Sequence, residues 1–208
     1  MRHGIPAASL SIVAALLMAA CATSPERKGQ RLFAGCPDGI DDAATLRTGL
    51  FVCSGKRDPA PFAGNGRSCG DCHAPGDHFG MSVERIARLP RDHPLFFGGL
   101  DEDPKLLREH GLVHVVAPGP IDEFRQTPKL THLQKLCDED GNCGSLGLLG
   151  DRVRNLCAFS IQAIQNHMAK SVSRVPGRDF RLPTKEECDA LVAYMVSDLV
   201  ADQAERGQ

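Results

Sequence analysis

The motif CGDCH at positions 69–73 constrains this chain more than any other feature of its sequence. Two thiols three positions apart, followed at once by an imidazole, are typical of a zinc site, a redox-active dithiol or a covalently attached haem. A structural zinc site of the ribbon or finger type commonly uses two C-x-x-C pairs, and the chain has no second pair. A redox dithiol gives no reason for the histidine.

Haem attachment accounts for all three side chains. Cys69 and Cys72 can each form a thioether with one vinyl group, and His73 is then held under the iron as its proximal ligand. We therefore predict one covalent haem c, with Cys69, Cys72 and His73 as its cofactor-binding residues. His73 is also the first predicted metal ligand.

The composition fits one domain that has to fill its interior with few aromatic side chains. The 208 residues are 42% hydrophobic and 24% charged, with a formal net charge of −2. Without a strong basic excess, nucleic acid is not expected as a partner. Tryptophan is absent and aromatic residues make up only 5% of the chain. A large prosthetic group could supply the apolar bulk that the side chains lack.

The first residues resemble an export signal. Arg2 and His3 precede an apolar run over 5–20. This run is too short for a membrane-spanning helix, which needs about 20 apolar residues and different flanking residues. We predict a signal peptide over residues 1–20.

The sequence MAAC at positions 18–21 resembles the lipobox of bacterial lipoproteins, in which the cysteine becomes the lipidated first residue. We therefore predict lipidation of Cys21, which would anchor the chain in the outer membrane on its periplasmic side, followed by a polar tether over 21–40. The alternative is cleavage after Ala22, which would give a soluble periplasmic protein.

Six further cysteines suit an oxidising compartment, where disulfides form and persist. Six thiols allow fifteen pairings, and the sequence does not choose among them. The pair Cys137 and Cys143 is favoured because it flanks the tight polar loop DEDGN. The other four thiols allow three pairings, of which we choose Cys36 with Cys53 and Cys157 with Cys188 as a guess.

The segment RLPTKEECDALVAYMVSDLVADQ predicts a helix that begins with a capping box between Thr184 and Glu187. Its apolar face comprises Cys188, Leu191, Val192, Met195 and Leu199. With the C-x-x-C-H motif, this helix resembles the last helix of class I c-type cytochromes. In those proteins it crosses a helix that precedes the haem motif, and here the earlier helix is expected at about 41–52, with Gly49 permitting close approach.

The resemblance implies an all-α, cytochrome c-like helical domain over 41–204 around one covalent haem. Residues 83–134 exceed what a minimal cytochrome needs, and we expect them to form a long loop-rich insertion with a short helix at 104–110. Its apolar runs are too brief to close a core of their own. Arg125 and Lys129 in this insertion could pair with haem propionates.

A narrower resemblance is to monohaem relatives of the dihaem cytochrome c peroxidases. The stretches that carry it are FAGNGRSCGDCH, DHPLFF, EFRQTPKLTHL and AIQNHMAKSVSRVPGRDFRLPTKEECDAL. Those peroxidases have two C-x-x-C-H motifs, whereas this sequence has one. A complete dihaem peroxidase in this chain is therefore excluded.

The second axial ligand decides the function. His167 and Met168 are the leading candidates because both lie near the end of a helix expected at about 151–171, where they can face inward. His167 is slightly preferred, since packing alone accounts for a methionine there; Met81 ranks behind both. The alternative is that neither residue binds iron and both belong to the core.

These features predict an exported monohaem c-type cytochrome that passes single electrons to a redox partner in a transient contact. The alternative is a peroxidase-like or small-ligand-binding haem protein with an open distal position. An electron carrier is favoured over a cytochrome c peroxidase-like enzyme, and no catalytic residue is assigned.

Overall fold

The computed structural model describes residues 24–97, 99–117, 121–144, 146 and 154–207. The predicted signal peptide and Cys21 lie outside these ranges. The helices and strands of the described chain are α1 (Pro25–Ala34), α2 (Asp42–Thr48), α3 (Cys69–Cys72), α4 (Val83–Ile86), α5 (Pro104–His110), β1 (Leu112–Ala117), β2 (Ile121–Gln126), α6 (Leu133–Leu136), α7 (Leu156–His167), α8 (Lys185–Met195) and α9 (Asp198–Arg206). Among the described residues, no helix has the length and apolar character needed to span a membrane.

Helix α1 occupies half of the segment 21–40, for which the sequence predicts a polar tether. Ser24 caps this helix by accepting a hydrogen bond from the Arg27 N–H, and Gly35 ends it in the left-handed conformation with φ of 68°. The charged side chains lie on one side of α1, while Gln30 and Phe33 are buried on the other. A short helix with so few apolar residues resembles a solvated segment in sequence.

Helix α1 crosses α8 at close range and takes the place expected for the segment at 41–52. A Cβ atom on Gly29 would lie 1.9 Å from the carbonyl oxygen of Ala190, so the two backbones touch at this point. Helix α2, within 41–52, is shorter than expected and ends at Gly49 in the left-handed conformation. Gly49 does permit a close approach, but to Gly76: its Cβ would lie 3.0 Å from the Gly76 Cα.

Helix α8 begins with the predicted capping box between Thr184 and Glu187. Four residues of its predicted apolar face are buried, namely Cys188, Leu191, Val192 and Met195. The expected single closing helix is divided in two, since α8 ends at Met195 and Leu199 lies partly buried in α9.

The insertion contains a two-stranded antiparallel sheet, so the fold is largely helical with a small β-hairpin instead of all-α. Strand β1 pairs with β2 in a register that runs from Leu112 opposite Gln126 to Ala117 opposite Ile121. The β-branched residues of the sequence LVHVVA favour a strand over a helix.

The insertion also has a small apolar cluster of its own, contrary to expectation. Ile86, Leu95, Leu107 and Val113 are buried together, each from a different local element. Because these residues are dispersed along the sequence, no single apolar run reveals the cluster. The short helix predicted at 104–110 is confirmed as α5.

All three predicted disulfides are present among the described residues: Cys36–Cys53, Cys137–Cys143 and Cys157–Cys188. The last of these joins α7 to α8. The crossing helices α1 and α8, with α7 tied beside them, form the frame around the site.

Candidate haem-binding site

The motif helix α3 is held by polar contacts on one side and close packing on the other. The Ser68 N–H donates to Asp71 Oδ2 at 2.6 Å, and Arg57 pairs with the same carboxylate at 2.6 Å. A Cβ on Gly70 would lie 2.6 Å from Cδ2 of Phe51. The spacer between the two cysteines is therefore fixed, and its glycine is required by the contact with Phe51.

Cys69 and Cys72 are free and partly buried, although the other six cysteines of the described chain form disulfides. Burial raises the pKa of each thiol to about 12. A redox-active dithiol needs a reactive thiolate, which such a pKa disfavours. The structure thus leaves two protonated thiols on the wall of a cavity, which is the state expected before thioether formation.

His73 is neutral at pH 7 and its ring is fixed in position. Burial lowers its pKa to about 4, despite the hydrogen bond to the Phe79 carbonyl. The Nδ1 atom lies 2.7 Å from that carbonyl oxygen, and the ring also has a hydrogen-bond contact with the Pro128 backbone. In the tautomer that donates from Nδ1, Nε2 keeps its lone pair. The ring packs against Phe33 with 6.1 Å between centroids, and Phe33 in turn packs against Tyr194 at 5.3 Å. The α1/α8 crossing therefore supports the ring of His73.

The thiols and His73 line an apolar cavity of about 160 Å³ that opens to solvent. Its other walls come from α1, α6, α7, α8 and the segment that follows β2. The apolar wall residues are Phe33, Leu130, Leu133, Leu136, Leu146, Leu156, Phe159, Ala163, Met168 and Met195.

A second cavity of about 90 Å³ adjoins the first, and more polar side chains line it. The two cavities share Cys72, His73, Pro128, Phe159, Ala163 and His167. The second is bordered in addition by the hairpin and by polar residues that include Arg125, Gln126, Gln162 and Asn166. Of the two cations predicted to meet propionates, Arg125 lines this polar cavity and Lys129 lines the apolar one.

His167, the last residue of α7, lines both cavities. Its Nδ1 is buried and has no hydrogen-bond partner among the described residues. Burial, followed by the nearby positive charge of Arg67 and by His73, lowers the pKa of His167 to about 3. The side chain is therefore a neutral imidazole at pH 7, which is the form that binds metals.

Met168 lines the apolar cavity but also belongs to the main hydrophobic core, with 4% of its surface exposed. Met81, the third candidate, packs against the small cluster of the insertion. The structure thus brings both cysteines, His73, His167 and Met168 to one cavity and leaves Met81 in a different cluster.

The loop before the motif forms hydrogen bonds with the backbone of the segment that carries His167 and Met168. The Asn65 side chain donates to the carbonyls of His167 and Ala169, both at 3.1 Å, and the Asn65 N–H donates to the Met168 carbonyl at 2.9 Å. Arg67 donates to the His167 carbonyl at 3.2 Å. No local pattern in the sequence indicates this contact, because the partners are 100 residues apart.

No protein-family model, curated protein or solved structure matches this chain. The haem interpretation therefore depends on the residues of the chain itself.

The wall residues fit a haem in three respects. Two protonated thiols and an imidazole from one motif meet at the cavity, a second neutral imidazole lines it with an unpaired nitrogen, and apolar and polar walls adjoin as an amphipathic macrocycle requires. Among the described residues, no group of three or more His, Cys, Asp or Glu side chains is arranged to hold a metal ion. A porphyrin would need only axial ligands from the protein.

Proposed function

We propose that the chain is an exported monohaem c-type cytochrome that transfers single electrons through a haem attached at Cys69 and Cys72. One observation carries the proposal: the two free thiols and the imidazole of a C-x-x-C-H motif lie on the wall of a cavity that a second buried imidazole also lines. Export depends on the signal peptide predicted over 1–20, and membrane attachment on lipidation of Cys21.

The packing of the core around the cavity supports the proposal of a large apolar ligand. Protein interiors are close-packed, and voids larger than a water molecule are few. Here Phe33, Leu133, Leu156 and Met168 belong to the main hydrophobic cluster and also line the cavity. The core is therefore built around the cavity, which agrees with a composition that lacks tryptophan and is poor in aromatic residues.

The proposed axial ligands are His73 and His167. The Phe79 carbonyl holds the Nδ1 proton of His73, which leaves Nε2 to bind. Both imidazoles are neutral at pH 7, so neither has to lose a proton to bind iron. Bound haem supplies a one-electron iron couple. The residues would contribute two imidazoles, an apolar wall and polar side chains next to it.

A redox protein is the proposed partner, and it would dock at the open side of the apolar cavity. Leu136 on this wall has 51% of its surface exposed, and Lys129 beside it is also exposed. A small contact of this kind suits the transient docking of electron-transfer proteins. Nucleic acid is not proposed as a partner, because the chain carries no basic excess.

A second candidate function is a peroxidase-like or small-ligand-binding haem with an open distal position. The observation that favours it is the polar cavity beside His167, where Oε1 of Gln162 is buried without a hydrogen-bond partner among the described residues. A small polar molecule bound there would be adjacent to the haem.

Absorption spectra and a redox titration of the full chain, matured with a haem-attachment system, test these proposals. We expect a low-spin spectrum without the far-red charge-transfer band of methionine-ligated ferric haem, and one reversible one-electron transition. His167→Ala should open the distal side and allow carbon monoxide to bind. Met168→Leu, a matched change of similar volume, should leave the spectrum unchanged.

The contrary outcomes separate the alternatives. Cyanide or carbon monoxide binding to the unaltered chain at low concentration, with turnover of hydrogen peroxide by an external donor, would favour the second candidate. A change of spectrum in Met168→Leu, with none in His167→Ala, would assign the distal ligand to Met168.

A further inference from the structure

Arg67 is a buried cation two residues before the first cysteine of the motif, and every one of its guanidinium nitrogens has a partner. Its side chain is 2% exposed and forms a two-point ion pair with Glu102, at 2.8 Å and 2.6 Å. Nε donates to the Pro94 carbonyl and Nη2 to the Leu95 carbonyl. A charge at this depth is tolerated only when it is paired and fully hydrogen-bonded.

The same guanidinium reaches the distal side of the cavity. Nη1 donates to the His167 carbonyl at 3.2 Å in addition to Glu102. Asn65, two residues earlier, binds the carbonyls of His167 and Ala169 through its side chain, while its Oδ1 accepts from the Arg67 N–H at 3.1 Å. The Asn65 N–H binds the Met168 carbonyl.

Three consecutive carbonyls at 167–169 are therefore held by two residues of the loop that leads directly into the motif. This segment follows the end of α7, where the carbonyls of a helix lack partners within the helix. The contacts fix the distance between the loop before Cys69 and the backbone of His167. They act on the backbone alone, so they hold the segment before any ligand binds.

We propose that Asn65 and Arg67, the latter held by Glu102, are positioning residues that keep the imidazole of His167 on the distal side of the proposed haem. This inference rests on the proposed function. Their role is to make a six-coordinate site the stable state by resisting displacement of the 167–169 segment when an external ligand competes for the iron.

The loss of one or two of these hydrogen bonds should be measurable as weaker competition by His167. A tenfold change in an equilibrium corresponds to about 1.4 kcal/mol, which is comparable to one or two net hydrogen bonds. In the matured full chain we expect Asn65→Ala and Arg67→Gln to raise the affinity of the ferrous protein for carbon monoxide by about tenfold or more. A high-spin fraction should appear in the ferric spectrum of both variants.

Glu102→Gln should act in the same direction, because it releases the guanidinium without removing it. The matched control is Arg181→Gln, which also breaks a two-point arginine–glutamate pair, with Glu187 at 2.7 Å and 2.8 Å, but does not touch the 167–169 segment. We expect Arg181→Gln to retain the carbon monoxide affinity and spin state of the unaltered chain.

The possible failures can be told apart. Absence of covalent haem from the unaltered chain would refute the proposed function, and this inference with it. Normal haem content in Asn65→Ala and Arg67→Gln with unaltered carbon monoxide affinity would overturn the inference alone. Loss of haem attachment in both variants, while Arg181→Gln matures normally, would also overturn it, since holding the distal segment is not needed to form the thioethers.

Discussion

Replacing Gly29 with alanine has two opposite effects on stability, one from helix propensity and one from helix packing. Gly29 lies inside α1, where it faces the backbone of α8. Alanine is favoured over glycine in a helix interior by about 1 kcal/mol. Propensity alone therefore predicts a more stable protein, whereas the observed crossing predicts the opposite.

The geometry determines which effect is larger. The added Cβ would lie 1.9 Å from the Ala190 carbonyl oxygen and 2.8 Å from Cβ of Tyr194, while real Cβ atoms essentially never approach within 3.0 Å. The helices would have to separate by about 1 Å at their contact, the difference between 1.9 Å and 3.0 Å. Overpacking typically costs about 1–3 kcal/mol, occasionally more. With contact to backbone we take about 3 kcal/mol, so the net loss should be about 2 kcal/mol.

The assay is urea unfolding of the full chain with its disulfides intact, followed by circular dichroism, to obtain the free energy of unfolding. Gly144→Ala is the matched control, because a Cβ there would meet nothing within 4 Å. We expect its stability to stay within about 0.5 kcal/mol of the unaltered chain. If Gly29→Ala were as stable as the unaltered chain, or more stable, the α1/α8 crossing described above would be wrong.

Two further predictions concern stability. Replacing both Cys157 and Cys188 with serine removes a cross-link over 31 residues. The chain-entropy relation predicts that the free energy of unfolding then falls by about 3.7 kcal/mol at 25 °C. A fall of less than about 1 kcal/mol in chemical unfolding would contradict the linkage of α7 to α8. Burial lowers the pKa of His114, but the hydrogen bond to Asp122 at 2.5 Å and the Asp101 carboxylate 3.1 Å from Nδ1 raise it overall. The charged pairing therefore stabilises the fold fully at pH values below the pKa of the unfolded state, and this stabilisation is lost as the pH rises through the pKa of the folded state. His114→Gln should lower the melting temperature more at about pH 5.5 than at about pH 9. An equal fall in melting temperature at both pH values would refute the pairing.

Local signals in the sequence predicted the features that depend on neighbouring residues. The capping box of Thr184 and Glu187 and helix α5 both lie where their sequences indicate. The disulfide between Cys137 and Cys143 closes a short loop, which is also a local event. Each depends on residues within about one or two turns of chain, which is the range that pattern reasoning covers.

Apart from the disulfides Cys36–Cys53 and Cys157–Cys188, the features that depend on distant contacts were not predicted. Helix α1 owes its burial to a glycine that meets Ala190, and nothing near Gly29 in sequence reveals that contact. The pairing of Arg67 with Glu102 spans 35 residues, so an arginine beside the motif gives no sign of its partner. In the same way, the sequence placed His167 and Met168 together on a helix end but could not show that Asn65 holds both.

The most direct test of the account is the intact mass of the full chain, matured with a haem-attachment system and measured under denaturing conditions. The account predicts a polypeptide that carries the mass of one haem and retains its colour after extraction with acidified acetone. Replacement of Cys69 and Cys72 by alanine should abolish both results. An unaltered chain with the mass of the polypeptide alone, or one that loses all its colour to the solvent, would contradict the assignment of Cys69, Cys72 and His73 to a covalent haem.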